Sequence, residues 1–438
     1  MRRKTSATLL VLAWSWACAR PPAHEPTPAE PAVAVAPAAV PTGSGSLPNH
    51  SETRLEAGDK EPFDQLGYSL AIDGDTLVAG AHLDDDRGLE TGAVYVFRRR
   101  GAPKAGWVEE AKLHAGDAVE LARFGNAVTT SGELLIAGAH LDSRRGERAG
   151  AAYVFERRRG GWTQQARLEP RDGAPGQHFG QAVGLDGEVA IVGAHGDAER
   201  GQAAGAAYVF RRAAEEWRQE AKLTADDAEV FDLFGMAVAI DGELAVVGAN
   251  GEDERGRVAG AAYVFRRTAS GWRQEAKLIA DDGTDLGELG KAVAISGDVV
   301  VTGADGSHCA AGKFCGAAYV FRHGENGWWQ EARLEASDAK AADRFGNAVA
   351  IHGETILVGA HFTDDAGVGS GSAYVFTRGP NGWVQSAKLT AANAAQGEEY
   401  GNATAVAGDT LVVGALRGGS EMTAAGMVYV YEPTAQNP

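Results

Sequence analysis

Short runs of apolar residues, separated by turn-forming residues, repeat along most of the chain. The unit from Phe234 to Leu278 contains four such runs, MAVAI, ELAVVGA, AAYVF and WRQEAKL, which are rich in Val, Ile and aromatic residues. Runs of this length and composition predict β-strands. The first two are separated by Asp241-Gly242, a two-residue hairpin signal. Each unit is therefore predicted to be an antiparallel meander of four strands.

The patterning also orders the four strands from the inside outward. The first two are nearly continuous apolar runs, as expected for strands that are buried on both faces. The fourth alternates, which predicts a half-exposed outermost strand. On this prediction one face of the fourth strand carries Trp272, Gln274, Ala276 and Leu278, and the other carries Arg273, Glu275 and Lys277.

Seven times along the chain, an apolar residue directly precedes a glycine, and a Gly-Ala pair begins 13 residues after that glycine. The glycines of the first pair are Gly67, Gly125, Gly180, Gly235, Gly290, Gly346 and Gly401. Those of the second pair are Gly80, Gly138, Gly193, Gly248, Gly303, Gly359 and Gly414. The period is 55 or 56 residues after a first interval of 58. Such repeats predict one domain built from similar units that share a core.

Four-stranded sheets arranged radially form a β-propeller, and the two ends of the repeat region predict how the ring closes. The seventh unit ends at Tyr431 without a fourth strand, whereas Glu52-Thr53-Arg54-Leu55 precedes the first unit and matches the end of that strand. Asn49 stands where the other units have Trp. We predict an all-β fold, a seven-bladed β-propeller of four-stranded antiparallel blades over residues 51–432. An N-terminal strand closes the last blade, and residues 433–438 form a tail.

The FG…GA…YVF pattern resembles the FG-GAP repeats of integrin α-subunit propellers and of related bacterial extracellular proteins. The resemblance covers residues 51–432 in seven copies. It implies that the loops from second to third strands share a ligand-binding face with the connections between units, and it implies adhesion as a function. Integrin-type repeats often bind calcium between the first and second strands. Here those connections are tight turns, too short to supply six or more oxygen ligands.

The first 19 residues are predicted to be an export signal. Arg2, Arg3 and Lys4 precede an apolar stretch from Ala7 to Ala17 that is too short to span a bilayer. Ala17-Cys18-Ala19 fits the cleavage site of a soluble secreted protein, and Cys18 also resembles the lipid-modified cysteine of bacterial lipoproteins, although Ser15 replaces the usual Leu. Residues 20–50 are predicted to be a Pro/Ala-rich disordered linker, which favours the lipoprotein. The predicted location is the bacterial cell envelope, by a lipid anchor, or the medium.

Composition narrows the classes of partner. The 59 glycines indicate many turns, and a net charge of −18 argues against nucleic acid and anionic membrane surfaces as partners. Membrane contact is predicted only through the N-terminal lipid. Cys309 and Cys315 lie in a loop that is one residue longer than its counterparts, and an exported compartment permits a disulfide between them.

Acidic residues concentrate in the loops of the implied binding face. They are either solvated turn residues or a surface that binds calcium or a basic partner. The candidate acidic binding face comprises Asp84, Asp85, Asp86, Asp226, Asp227, Asp232, Asp253, Asp281, Asp282, Asp285, Asp364 and Asp365. Arginines recur where third strands meet fourth strands, as in Arg157-Arg158-Arg159, which predicts a more basic opposite end.

Two repeated residue types are candidates for chemistry. His82, His140, His195 and His361 follow Gly-Ala in four units, but neighbouring blades separate such positions by about 10 Å, too far for zinc ligation. They are predicted to anchor loops. The repeated Trp residues are predicted to pack between blades rather than to bind sugars, and Trp329 is predicted to be exposed.

No asymmetric set of residues suggests catalysis, so no catalytic residue is assigned and the chain is predicted not to be an enzyme. The leading hypothesis is an extracellular or cell-surface binding and adhesion module that presents its acidic loop face to a protein or polysaccharide. Calcium is a candidate cofactor. The alternatives are an envelope scaffold and, less favoured, a hydrolase or lyase with its site at the central funnel.

Overall fold

A computed structural model describes residues 47, 49–101, 106–392, 394–418 and 424–434. The predicted export signal, Cys18 and nearly all of the predicted linker lie outside these residues, as do residues 435–438. Regular secondary structure in the described residues is entirely β, arranged in seven four-stranded sheets. No helix long and apolar enough to cross a membrane occurs in this part of the chain.

Each sheet is one blade, numbered here in chain order. Blade 1 contains β2 (Ser69–Asp73), β3 (Thr76–Ala81), β4 (Ala93–Arg99) and β5 (Trp107–Leu113). Blade 2 contains β6 (Val128–Ser131), β7 (Leu134–Ala139), β8 (Ala151–Arg158) and β9 (Gly161–Leu168). Blade 3 contains β10 (Val183–Asp186), β11 (Val189–Ala194), β12 (Ala206–Ala213) and β13 (Glu216–Leu223). Blade 4 contains β14 (Ala237–Asp241), β15 (Leu244–Ala249), β16 (Ala261–Thr268) and β17 (Gly271–Leu278). Blade 5 contains β18 (Ala292–Ser296), β19 (Val299–Ala304), β20 (Ala317–Gly324) and β21 (Gly327–Leu334). Blade 6 contains β22 (Val349–His352), β23 (Thr355–Ala360), β24 (Ser372–Gly379) and β25 (Gly382–Leu389). Blade 7 contains β26 (Tyr400–Ala407), β27 (Thr410–Ala415), β28 (Met427–Pro433) and β1 (His50–Leu55).

The predicted closure of the ring is confirmed. Strand β1 pairs antiparallel with β28, from His50 opposite Pro433 to Leu55 opposite Val428. The propeller was predicted to span residues 51–432, and the paired strands extend it by one residue in each direction, to His50 and Pro433. The N-terminal strand thus completes a sheet whose other three strands come from the C-terminus, and β28 is not left as an unpaired edge.

The repeated glycines mark the points where neighbouring blades touch. A β-carbon on Gly80, a glycine of the second repeated pair, would lie 2.0 Å from the carbonyl oxygen of Gly125, the glycine of the first pair in the next unit. Gly125 has a φ of 87°, and a β-carbon there would lie 2.4 Å from the carbonyl oxygen of Ala93. The ring ends with the same contact, because a β-carbon on Gly414 would lie 2.3 Å from the oxygen of Gly67. Only glycine permits this approach of backbone to backbone.

The alternation predicted for the fourth strand is wrong at one residue. In blade 3, Ala221 lies opposite Val209 and Gln219 lies opposite Phe210, so Glu220 is an extra, bulged residue. Trp217 and Gln219 consequently lie on one face of the sheet and Ala221 and Leu223 on the other. The same register shift occurs in the other blades from 1 to 6.

The bulge lets the fourth strand contact both neighbouring blades. Trp217 packs in a cluster with Leu134, Val154 and Leu168 of blade 2, which confirms that the repeated Trp residues pack between blades. In blade 7 the outer strand β1 has no bulge, because its pairing with β28 runs without a shift from His50 to Leu55. His50 therefore takes the pairing position of the Trp, although counting along the sequence assigns that position to Asn49.

Acidic partners accompany the arginines of the predicted basic end. Arg157 pairs with Glu110, Arg267 with Glu220 and Arg378 with Glu331, each across the contact between two blades. In all three pairs the glutamate is the bulged residue of the preceding blade. Much of the positive charge at this end is therefore neutralised within the protein.

Two local predictions, the disulfide and the exposed Trp, are confirmed in the same structure. Cys309 and Cys315 form a disulfide, with Cα atoms 5.8 Å apart. Trp329 is one of the exposed large apolar side chains, at 50% exposure.

Candidate functional site on the loop face

The loops from second to third strands and the connections between blades lie at the same end of the propeller, here called the loop face. In blade 1, the loop from β3 to β4 accepts hydrogen bonds from the connection between β5 and β6. The amide of Leu121 donates to the carbonyl oxygen of Leu89 at 2.8 Å, and that of Arg123 to Glu90 at 3.0 Å. Equivalent bonds recur around the ring, for example from Phe231 to Gln202. The two classes of loop therefore form one continuous surface.

Beneath this surface, a basic side chain of the fourth strand lies among carboxylates from both loops. In blade 3, the Lys222 Nζ atom lies 2.6 Å from Asp172 Oδ2, 2.9 Å from Asp197 Oδ2 and 2.6 Å from Glu199 Oε2. The hydroxyl of Tyr208 donates to Asp197 Oδ2 at 2.8 Å. Asp197 is 1% exposed, so its charge depends on these partners.

We call this arrangement the ion-pair cluster, and blades 1 to 6 each contain one. Its basic residue always precedes the last Leu of the fourth strand and lies opposite the Tyr of the third strand. The principal members are Lys112 with Asp59 and Asp84, Arg167 with Asp117 and Asp142, Lys222 with Asp172 and Asp197, Lys277 with Asp227 and Glu252, Arg333 with Asp282, and Lys388 with Asp338 and Asp365.

Blade 7 has a variant of the cluster. Arg54 lies opposite Tyr429, with its guanidinium carbon 5.8 Å from the ring centroid, and pairs with Glu52 of its own strand at 2.9 Å. Closing the ring with β1 thus also supplies the basic residue of the last blade.

The ion pairs shift the pKa values of the residues that form them. Burial alone would lower the pKa of Lys222, but its hydrogen bonds to Asp172, Glu199 and Asp197 hold that pKa above its ordinary value. Burial likewise would raise the pKa of Asp172, whereas the bond to Lys222 holds it below its ordinary value. These groups stay charged at neutral pH and tie the loops to the outer strand.

The twelve predicted acids fall into three groups. Those in ion-pair clusters are Asp84, Asp86, Asp227, Asp282 and Asp365. Those whose carboxylates accept backbone amides in loop turns are Asp232, Asp285 and Asp364. Those with exposed side chains at the loop surface are Asp85, Asp226, Asp253 and Asp281. The predicted acidic face is thus partly a layer of internally paired acids, of which Asp84 is buried, and partly an exposed rim.

One group in the described residues has the geometry to hold a metal ion: Asp84, Asp86 and His114. Lys112 Nζ lies 2.7 Å from Asp84 Oδ2 and 2.5 Å from Asp86 Oδ2. A cation would have to displace this ammonium group, since both carboxylates already share its charge. The donor set therefore does not fit calcium while Lys112 remains in place.

Sequence reasoning missed the basic residue of the cluster and several of its acids. Asp142, Asp197 and Glu252 are the buried partners, and none of them was among the predicted site residues. The available signal was the recurrence of Lys or Arg before the last Leu of the fourth strand, together with Asp four residues after that Leu. Its meaning required the strand register, which the bulge alters.

Two of the four repeated histidines, His140 and His195, lie close to a fifth histidine that was not predicted. His178 stacks on His195 with ring centroids 4.8 Å apart and lies 6.1 Å from His140. His82 lies against Tyr68 at 3.7 Å, and His361 against Phe362 at 4.0 Å. Within the described residues these histidines do not form a metal-binding group. Their ring contacts agree with the predicted role of anchoring loops.

Acid is expected to destabilise the propeller through these histidines. Burial lowers the pKa of His82 and His140 to about 3, and that of His195 and His361 to about 4. Below pH 6.5 the unfolded chain therefore binds protons that the folded chain does not, and stability falls as the pH falls. We expect the free energy of unfolding to drop by about 3 kcal/mol between about pH 6.5 and pH 5. Urea unfolding at a series of pH values measures this.

Acids whose pKa is raised by burial oppose this trend. Burial raises the pKa of Asp64 and of Asp232 to about 6, so these groups favour the folded state as the pH falls. Asn250 naturally occupies the histidine position in blade 4, so His140→Asn and His361→Asn are conservative variants. The double variant should show a clearly smaller loss on acidification. An equal loss would mean that other groups titrate.

Seven four-stranded blades, with an ion-pair cluster repeated at one face, define a β-propeller of near-identical blades with variable loops. In a comparison with known protein families, the FG-GAP repeat matches seven segments of the chain: residues 50–97, 107–155, 162–210, 217–265, 272–321, 328–376 and 383–431. They cover well over half of the sequence, and the chain belongs to the FG-GAP repeat family. Each segment begins in the fourth strand of one blade and ends in the third strand of the next. No curated protein matched the chain.

Membership of this family indicates a general class of function. An FG-GAP β-propeller suggests a binding or adhesion type of module, and the family is typically non-enzymatic.

Proposed function

We propose that the protein is a non-enzymatic binding module that acts outside the cytoplasm and presents its loop face to a protein partner with basic and apolar side chains. The observation that carries the proposal is the coincidence of exposed acids and exposed large apolar side chains on that face. Seven of the ten exposed large apolar side chains in the described residues lie in its loops: Phe63, Leu89, Leu121, Val230, Phe231, Phe362 and Val368.

These apolar side chains are highly exposed, and contact with water does not explain why they lie on the surface. Val368 is 67% exposed and Phe63 is 62% exposed, in loops that also carry carboxylates. Apolar residues surrounded by polar ones are typical of surfaces that bind other proteins. Phe63, Phe231 and Phe362 could also stack on sugar rings, so a polysaccharide remains the second candidate partner.

Two further features support parts of the proposal. The disulfide between Cys309 and Cys315 is compatible with an oxidising, extracytoplasmic compartment. The ion-pair clusters supply positive charge to the buried carboxylates from within the chain, so we propose that the loop face keeps its shape without calcium.

Reversing the exposed charge of the loop face is expected to abolish partner capture without unfolding the protein. The variant carries Asp85→Lys, Asp226→Lys, Asp253→Lys and Asp281→Lys, whose side chains are exposed. Surface substitutions of this kind change stability little, by about 0.5 kcal/mol each. Capture from an extract of the cell surface should lose the bands that the native protein retains.

The matched control places the same number of charge changes at the opposite end, at Glu188→Lys, Glu216→Lys, Glu325→Lys and Glu354→Lys, which are exposed positions in or beside the tight turns of blades 3, 5 and 6. This control should retain the partner. Loss of capture by both variants, or by neither, would contradict a binding role for the loop face. If self-association measured by sedimentation changed instead, the scaffold alternative would be favoured.

A further inference from the structure

A cavity of about 440 Å³ lies between blades 6 and 7. Val375, Thr377 and Ser386 line it from blade 6, and Asp409, Leu411 and Pro433 line it from blade 7. Leu47, Asn49 and His50 lie at its N-terminal side. The volume is within the range of sites that bind small molecules.

At the other contacts between blades, a Trp of the fourth strand packs on the preceding blade at the corresponding place. Trp383 packs in a cluster with Val299 and Val320 of blade 5. The equivalents of these two valines in blade 6 are Thr355 and Val375, and both line the cavity. The cavity therefore occupies the site that an indole ring fills elsewhere in the ring of blades.

The indole also makes a polar contact at four of these places. Its Nε1–H donates to the bulged glutamate of the preceding blade, from Trp162 to Glu110, Trp272 to Glu220, Trp328 to Glu275 and Trp383 to Glu331, over 2.8 to 3.3 Å. In three of the four, an arginine of the third strand also pairs with that glutamate.

Between blades 6 and 7 all three members of this set are changed together. The bulged residue is Ser386 instead of Glu, the arginine position is Pro433, and the Trp position is taken by His50 in the unshifted pairing of β1. Leu47 packs partly against the cluster of buried residues at this contact. The replacements remove the volume of the indole and leave polar groups, Ser386, Thr377 and Asp409, in the wall.

We propose that this cavity binds a small planar aromatic molecule with an N–H donor, of the indole class. The apolar wall of Val375 and Leu411 contacts the ring, as the equivalent residues do in the other blades. The Ser386 hydroxyl and the Asp409 carboxylate are the acceptors available to the N–H group. The site is separate from the loop face, because Asp409 belongs to the hairpin turn at the opposite end of the blade.

Free indole is the probe for this proposal, titrated into the full chain and followed by ligand-observed NMR. A ligand of this size should bind saturably with a dissociation constant on the order of 1 mM. Thr377→Phe places a ring in the cavity and should abolish binding. Thr163→Phe is the matched control, since Thr163 is an exposed position of β9 and its substitution leaves the cavity unchanged.

A second variant tests the same site by filling it from within the chain. His50→Trp puts an indole at the pairing position that Trp occupies in the other blades, and should raise the melting temperature while removing the binding of free indole. Absence of saturable binding to the native chain overturns the proposal. Equal binding by the native chain, Thr377→Phe and His50→Trp overturns it as well.

Discussion

A chain that begins at Glu56, and so lacks β1, is expected to lose about 5 kcal/mol or more of its free energy of unfolding. Removing β1 exposes Tyr429 and Tyr431, which are almost fully buried, and deletes Leu55 from the core. Burial of a large apolar side chain contributes about 1.5–3 kcal/mol, and three are affected. The melting temperature should fall on the order of 10 °C, measured by differential scanning calorimetry.

A chain that begins at Leu47 is the control, because it lacks the same leading residues but retains β1. It should unfold like the full-length protein. A peptide spanning residues 47–57, added to the shortened chain, should restore part of the lost stability by pairing again with β28. If the chains that begin at Glu56 and at Leu47 melted alike, the closing strand would contribute nothing, and the ring would be held by the contacts between inner strands.

The sequence predicted the architecture well because its strongest signals are local and repeated. The spacing from Gly67 to Gly80 and the hairpin signal at Asp241-Gly242 each lie within one unit and recur in every unit. The closure was predictable for the same reason, since the segment before the first unit matched the end of a repeated strand. Seven copies of one pattern reduce the effect of any single ambiguous residue.

The contacts between units were not predictable in the same way. The bulge at Glu220 reverses the facing of the second half of the strand, and nothing in an alternating sequence distinguishes a bulged residue from a regular one. The pairing of Lys222 with Asp172 joins residues 50 positions apart, one on the fourth strand of blade 3 and one in the connection between blades 2 and 3. It depends on the register of the outer strand and on the path of the connection between blades.

The sequence therefore predicted which acids form the candidate site but not how they pair with basic residues. The acid positions were correctly placed in the loops, but the counter-charge was assigned to calcium or to a partner. The structure provides it from Lys and Arg on the fourth strand. The interpretation of exposed solvated acids applies to Asp85 and Asp253, whereas Asp84 is buried and paired.

Replacement of Lys222 by Met is expected to lower the free energy of unfolding by about 3 kcal/mol, since removal of one partner leaves a buried charge uncompensated. Asp197 would keep only the Tyr208 hydroxyl and the Gln177 amide as hydrogen-bond donors from side chains. The loss should diminish on acidification, because the hydrogen bond from Lys222 holds the pKa of Asp172 below its ordinary value, and the stabilisation that this bond gives disappears as the carboxylate is protonated. Urea unfolding of the native protein and of Lys222→Met, at neutral and acidic pH, measures both effects.

Arg218→Met is the matched control, since Arg218 pairs with Glu216 on the surface and the two side chains are 71% and 69% exposed. It should cost less than about 1 kcal/mol. Calcium adds a second readout. In Lys222→Met the carboxylates of Asp172, Asp197 and Glu199 lose their shared cation, so millimolar calcium should restore part of the lost stability there and leave the native protein unchanged. A rise in the melting temperature of the native protein with calcium, reversed by a chelator, would instead show that the loop face binds the ion beside its lysines.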